Sequence, residues 1–96
     1  MKFLFTTLTL AISLQLSLAQ GINFKDLTFN EALAAAKTEG KPIFMDAYTT
    51  WCGPCKWMSA NIFTLKEVGD YYNENYICVK FDMEKGEGLE LAKKYA

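Results

Sequence analysis

Arginine and histidine are both absent from these 96 residues, and all ten basic side chains are lysines. Without arginine there is no planar guanidinium to grip phosphate two oxygens at a time. With eleven acids against ten lysines the net charge is −1, and no basic stripe suits a nucleic acid. The lack of histidine removes the usual acid–base group at neutral pH, so such work falls to a carboxylate, a lysine or a thiol with a shifted pKa. Proline occurs only as Pro42 and Pro54, and cysteine only as Cys52, Cys55 and Cys78. Three cysteines cannot all pair, which argues against a disulfide scaffold. A metal site on Cys52 and Cys55 would lack the four ligands of structural zinc. Lys56 stands where c-type haem attachment needs histidine, and no cofactor is expected.

What is present begins with an uncharged run. Lys2 is followed by Phe3 to Phe24 without a charge, with an apolar centre at Leu4 to Leu16 and small residues Ser17 and Ala19 before Gln20. The pattern predicts a secretory signal peptide over residues 1–19. The protein would then be exported to the periplasm or cell envelope, with no stable membrane insertion after cleavage. A retained anchor is the alternative, since the run approaches the roughly 20 residues that span a bilayer. Thr6, Thr7, Ser13, Gln15 and Ser17 argue against it, and no cysteine lies near the cleavage point for lipid attachment. Residues 20–96 form one small domain, half of the composition being apolar.

Within that domain Gly21 to Leu27 reads as a lead-in with a possible edge strand. Thr28-Phe29-Asn30-Glu31 is a capping-box pattern, and Phe29, Ala32, Leu33 and Ala36 follow at helical spacing until Gly40 and Pro42 stop the helix. The run from Pro42 to Tyr48 is continuously apolar around Ile43-Phe44-Met45, as in a strand covered on both faces. Asp46 interrupts it, and a carboxylate buried there is held away from ionisation. After the next helix, which places Cys55, Met58 and Ile62 on one face and has Trp57 either covering the helix or at a surface rim, for packing rather than recognition, Thr64-Leu65-Lys66-Glu67 repeats the capping pattern. It opens a helical segment to about Asn73 with Val68, Tyr71 and Tyr72 inward. Tyr76 to Met83 alternates as a strand, Ile77, Val79 and Phe81 against Cys78, Lys80 and Asp82; Cys78 reads as a small buried apolar residue. Gly86-Glu87-Gly88 reads as a loop, and Leu89 to Tyr95 as a helix.

Trp51-Cys52-Gly53-Pro54-Cys55 joins the first strand to a helix. A strand, a tight turn and a helix start put Cys52 where unpaired N–H groups and the positive end of the helix dipole favour its thiolate. Cys55 lies one helical turn away as the less exposed partner, and the two can close a small ring. Pro54 loses nothing by lacking an N–H in the first helical turn, and it restrains that ring.

Trp51-Cys52-Gly53-Pro54-Cys55-Lys56 resembles the active-site signature of the thioredoxin family, and the surrounding chain is similar to exported bacterial members. The nucleophilic thiol of thioredoxin has a pKa of about 7, against about 8.5 for a free cysteine, which is near the optimum for an attacking thiol. The resemblance implies an α/β thioredoxin-like fold, of which this sequence holds the N-terminal portion: central strands with flanking helices. The family's cis-proline, last two strands and closing helix have no counterpart in it. The resemblance also makes Cys52 the nucleophile of a redox-active Cys52–Cys55 disulfide and Cys55 the resolving thiol. Asp46, six residues before Cys52, would be the proton acceptor for Cys55. A lysine near that acid would be Lys80, or a slip of the strand would bring Cys78 there instead.

The expected function is a thiol–disulfide oxidoreductase of the cell envelope. Gly-Pro between the cysteines resembles the reducing members, near −270 mV against about −120 mV for strong oxidants. Its partners would be disulfide-bearing protein substrates and a membrane thiol–disulfide reductase as electron donor. A disulfide oxidant or isomerase-like protein is the alternative. Outside redox catalysis, the alternatives are a non-catalytic interaction module and metal capture by the CxxC pair.

Overall fold

The computed structural model describes residues 20–95; the expected signal peptide, residues 1–19, lies outside them. Six elements follow in order: α1 (Phe29–Glu39), β1 (Ile43–Tyr48), α2 (Gly53–Asn61), α3 (Lys66–Asn75), β2 (Ile77–Asp82) and α4 (Glu87–Tyr95). This is the α/β layout that the sequence predicts.

α1 begins at a complete capping box. The Glu31 N–H donates to the Thr28 hydroxyl at 3.1 Å, and the Thr28 N–H donates to the Glu31 carboxylate at 3.0 Å. Those bonds hold the Glu31 carboxyl below its usual range. The helix stops at Gly40, whose φ of 65° and ψ of 35° lie in the left-handed region that glycine enters without a Cβ penalty.

β1 and β2 pair in parallel, with Ile43 opposite Ile77, Asp46 opposite Lys80 and Tyr48 opposite Asp82. One face of this pair carries Ile43, Met45, Ile77, Val79 and Phe81, which pack with Ala32, Ala35 and Ala36 of α1 and with Leu27. The other face carries Phe44, whose ring meets Phe24, Phe63, Tyr72 and Tyr76 at centroid separations of 4.7 to 6.3 Å. Those distances suit edge-to-face and tilted aromatic packing.

The structure corrects several expectations. β1 is half-buried, not covered on both faces; the buried strand is β2, where Ile77, Cys78 and Val79 are at most 1% exposed. α1, α3 and α4 each pack on β2, α1 on the face that carries Ile77 and Val79. The lead-in forms no strand, and two backbone bonds tie it to the rest of the chain, Ile22 N–H to Phe63 O at 2.7 Å and Lys25 N–H to Cys78 O at 2.8 Å. Gly21 approaches Gly69 of α3 so closely that a Cβ at Gly69 would strike its backbone.

The second capping box does not form. Leu65 is the N-cap of α3 and offers no side-chain bond, while the Thr64 hydroxyl turns back and donates to Ala60 O at 2.8 Å. Tyr71 is exposed rather than inward, whereas Val68 and Tyr72 are half-buried. Met58 and Trp57 are exposed too, which selects the surface position for Trp57 over a cover on the helix. α4 starts two residues early, within the expected loop. Gly88 lies against the Asp82 backbone where a side chain would not fit, and the Glu87 carboxylate accepts the Phe29 N–H at the start of α1.

These caps generate a paired test. Thr28→Ala should cost about 1 kcal/mol, the usual loss of an N-cap. Thr64→Ala, which removes no cap, should cost less than half of that. Urea unfolding of both variants compares them, and equal losses would contradict this assignment of the helix starts.

Candidate active site

β1 ends at Tyr48, and its carbonyl accepts the Met83 N–H at 2.8 Å, which ties the end of β1 to the turn after β2. The chain then turns through Thr49 and Thr50, with the Cys52 N–H donating to Thr49 O at 3.3 Å. Cys52 is the N-cap of α2. Its backbone is extended, its carbonyl accepts the Lys56 N–H at 3.1 Å, and its sulfur accepts the Cys55 N–H at 3.1 Å. Cysteine thus occupies the place usually held by serine or aspartate, where an oxygen meets the first free N–H groups. Gly53 and Pro54 are the first two helical residues.

A disulfide joins Cys52 and Cys55, with Cα atoms 5.3 Å apart. Both residues are half-buried, so the expected difference in exposure between them is not marked. Cys78 is free and buried in β2, where loss of solvation pushes its thiol pKa up. It is not part of the site.

Trp51 is 72% exposed, yet its indole is fixed: Nε1–H donates to the Glu84 carboxylate at 2.6 Å. Glu84 is fixed in turn by its own N–H, which donates to Asp82 Oδ1 at 2.9 Å. Nothing near Glu84 in the chain marks it, because an acid just past a strand end reads as a solvated turn residue. Only the parallel pairing brings it beside the motif.

Behind the disulfide lies a cleft of about 500 Å³ whose walls include Asp46, Tyr48, Thr49, Cys55, Ser59 and Lys80. Asp46 and Cys55 therefore share one space, as a proton transfer between them requires. The register settles the choice left open in the sequence: Lys80, not Cys78, stands across from Asp46. Burial raises the Asp46 pKa above its ordinary value, and the Lys80 charge offsets part of that rise.

A raised carboxyl pKa means that the folded state binds this proton more tightly than the unfolded chain. The stability tied to that proton is present below the unfolded value near 4 and is lost as pH rises through the folded value. Asp46→Asn, which keeps the size and cannot ionise, should therefore unfold at a higher temperature than the wild type at pH 7. The advantage should vanish below roughly pH 3.5. Thermal melts at both pH values test it, and a variant less stable at pH 7 would contradict the burial argument.

Comparison with known proteins agrees with this geometry. A solution structure of a candidate disulphide-isomerase from Bacteroides thetaiotaomicron is 52% identical and superposes with a TM-score of 0.69, over 81% of this chain and 64% of that one. Thioredoxin Y2 from Arabidopsis thaliana chloroplasts is 38% identical over 71 residues, which are 74% of this chain and 40% of that protein. Thioredoxin-1 from Drosophila melanogaster is 39% identical over 57 residues, 59% of this chain and 49% of that protein. The chain thus spans half or less of the length of these two thioredoxins. The family profile described as thioredoxin-like matches residues 23–95, from the lead-in through α4, and on that match the chain belongs to the thioredoxin-like family.

Proposed function

We propose that this chain is the redox-active part of a thiol–disulfide oxidoreductase of the cell envelope, which reduces disulfides in other proteins. The observation that carries the reading is the Cys52–Cys55 disulfide at the N-terminus of α2, with Cys52 as N-cap. In the reduced pair, the helix start favours a thiolate on Cys52. That thiolate attacks one sulfur of a substrate disulfide, forms a mixed disulfide and releases the other substrate sulfur as a thiolate, which takes a proton from solvent. The Cys55 thiol then gives its proton to the Asp46 carboxylate across the cleft. The resulting thiolate attacks Cys52 Sγ, closing the disulfide and releasing the second substrate thiolate. Two electrons have passed to the substrate. A donor dithiol must return them, and for an exported protein that donor would be a membrane thiol–disulfide reductase.

Direction rests on Gly53-Pro54, which resembles the reducing members. The neighbouring structure from Bacteroides thetaiotaomicron carries an isomerase description and supports a second reading, in which the same pair shuffles or introduces disulfides.

Cys55→Ser should accumulate a mixed disulfide through Cys52 that intact-mass measurement detects, and Cys52→Ser should not. Asp46→Asn should slow release of the mixed disulfide about a hundredfold at neutral pH, with the deficit closing as pH rises and Cys55 ionises unaided. Equilibration with dithiothreitol or glutathione buffers should place the pair near −270 mV. A value above about −150 mV would select the oxidant or isomerase reading. No mixed disulfide with any substrate would leave only a non-catalytic role.

A further inference from the structure

Lys80 is exposed at the rim of the cleft, and among the described residues its ammonium makes no ion pair within 4 Å. What does hold it is aromatic. Its Nζ lies 5.7 Å from the centre of the Phe24 ring and 6.0 Å from the centre of the Tyr48 ring, within reach of the negative face of each. Phe24 is itself fixed by contacts with Phe44 and Phe63 at 6.3 and 5.8 Å. The Tyr48 backbone is fixed at the end of β1 by its carbonyl, which accepts the Met83 N–H. Asp46 lies on the same sheet face as Tyr48 and directly across the pair from Lys80.

A lysine on an exposed strand position has many rotamers, and most carry the ammonium into water. Two rings at the roots of the same face select those that keep the charge over the sheet. Besides Asp46 and Lys80, the ionisable side chains on the cleft are Tyr48 itself, Lys56 and, once the disulfide is reduced, Cys55; among the described residues no ring faces the Lys56 ammonium. We propose that Phe24 and Tyr48 are positioning residues whose rings hold the Lys80 ammonium over the face that carries Asp46, and so set how readily Asp46 takes the proton of Cys55. The first half of this rests on geometry, and the second rests on the proton transfer proposed above.

The experiment reads the carboxyl titration of Asp46 by carbon NMR in the oxidised protein, where neither Cys52 nor Cys55 ionises. Lys80→Met gives the upper limit, the titration midpoint without that charge. Tyr48→Leu and Phe24→Leu should each raise the midpoint by roughly half a pH unit toward that limit. Tyr48→Phe, which keeps the ring, should leave it at the wild-type position. Adding Tyr48→Leu to Lys80→Met should produce no further rise. Phe24 belongs to the aromatic cluster, and if its variant unfolds the Tyr48 series decides alone. A midpoint unmoved in Tyr48→Leu, or moved equally in Tyr48→Phe, would overturn the proposal, as would a Lys80→Met variant that titrates like the wild type. Because this measurement needs no turnover, its failure is separate from that of the proton-transfer role, which the mixed-disulfide kinetics of Asp46→Asn test.

Discussion

The parallel register of β1 on β2 is the constraint from which the site follows. Side chains alternate along a strand, so a slip of one residue would exchange the two faces of β1. With Ile43 opposite Ile77, the aliphatic residues of both strands meet α1, and Asp46, Tyr48 and Lys80 all fall on the other face. The same register places the end of β1 beside the turn after β2. That adjacency is why a carboxylate at Glu84 can hold the indole of Trp51, thirty-three residues earlier in the chain.

The two ends of the redox pair are supported differently. Cys52 is held by backbone: it caps α2, and its neighbours bond to its carbonyl and its sulfur. Cys55 is placed by the helix and faces a cleft that Asp46 also lines. No residue of α2 is fully buried, so the helix is held at its start more than along its length. Backbone amides at a fixed helix end suit a group that must be stabilised as an anion. A space shared with a raised carboxyl would suit the late proton loss proposed for Cys55.

What could be read in the sequence was local. The Thr28–Glu31 box, the stop at Gly40 and the Cys52-Gly53-Pro54-Cys55 turn are each decided within a few residues, and each is present in the structure. The same local rule failed at Thr64, because α3 starts one residue later, with Leu65 as its N-cap, and the Thr64 hydroxyl turns back to donate to Ala60 O. It failed again at Glu87 and Gly88, where glycine suggests a loop but a close approach to the Asp82 backbone requires it inside a helix. Strand pairing was beyond reach for a different reason. Alternation identifies the faces of β2 but not its partner's phase, so Lys80 and Cys78 remained equal candidates until the register separated them. Phe24, Tyr48 and Glu84 depend on contacts between distant segments, and nothing in their immediate neighbours marks them.

The burial of Cys78 bears on chemical selectivity. A chain with three thiols has three ways to form one intramolecular disulfide, and two of them would tie up a sulfur of the Cys52–Cys55 pair. In the folded state the Cys78 sulfur lies inside the sheet, its thiol bonded weakly to the Tyr72 carbonyl at 3.6 Å and its ionisation disfavoured. Thiol exchange needs a thiolate that can reach its target, so folding itself removes the competitor. Scrambling is thereby confined to the unfolded chain, and an electrophile added to the reduced, folded protein would find Cys52 and spare Cys78.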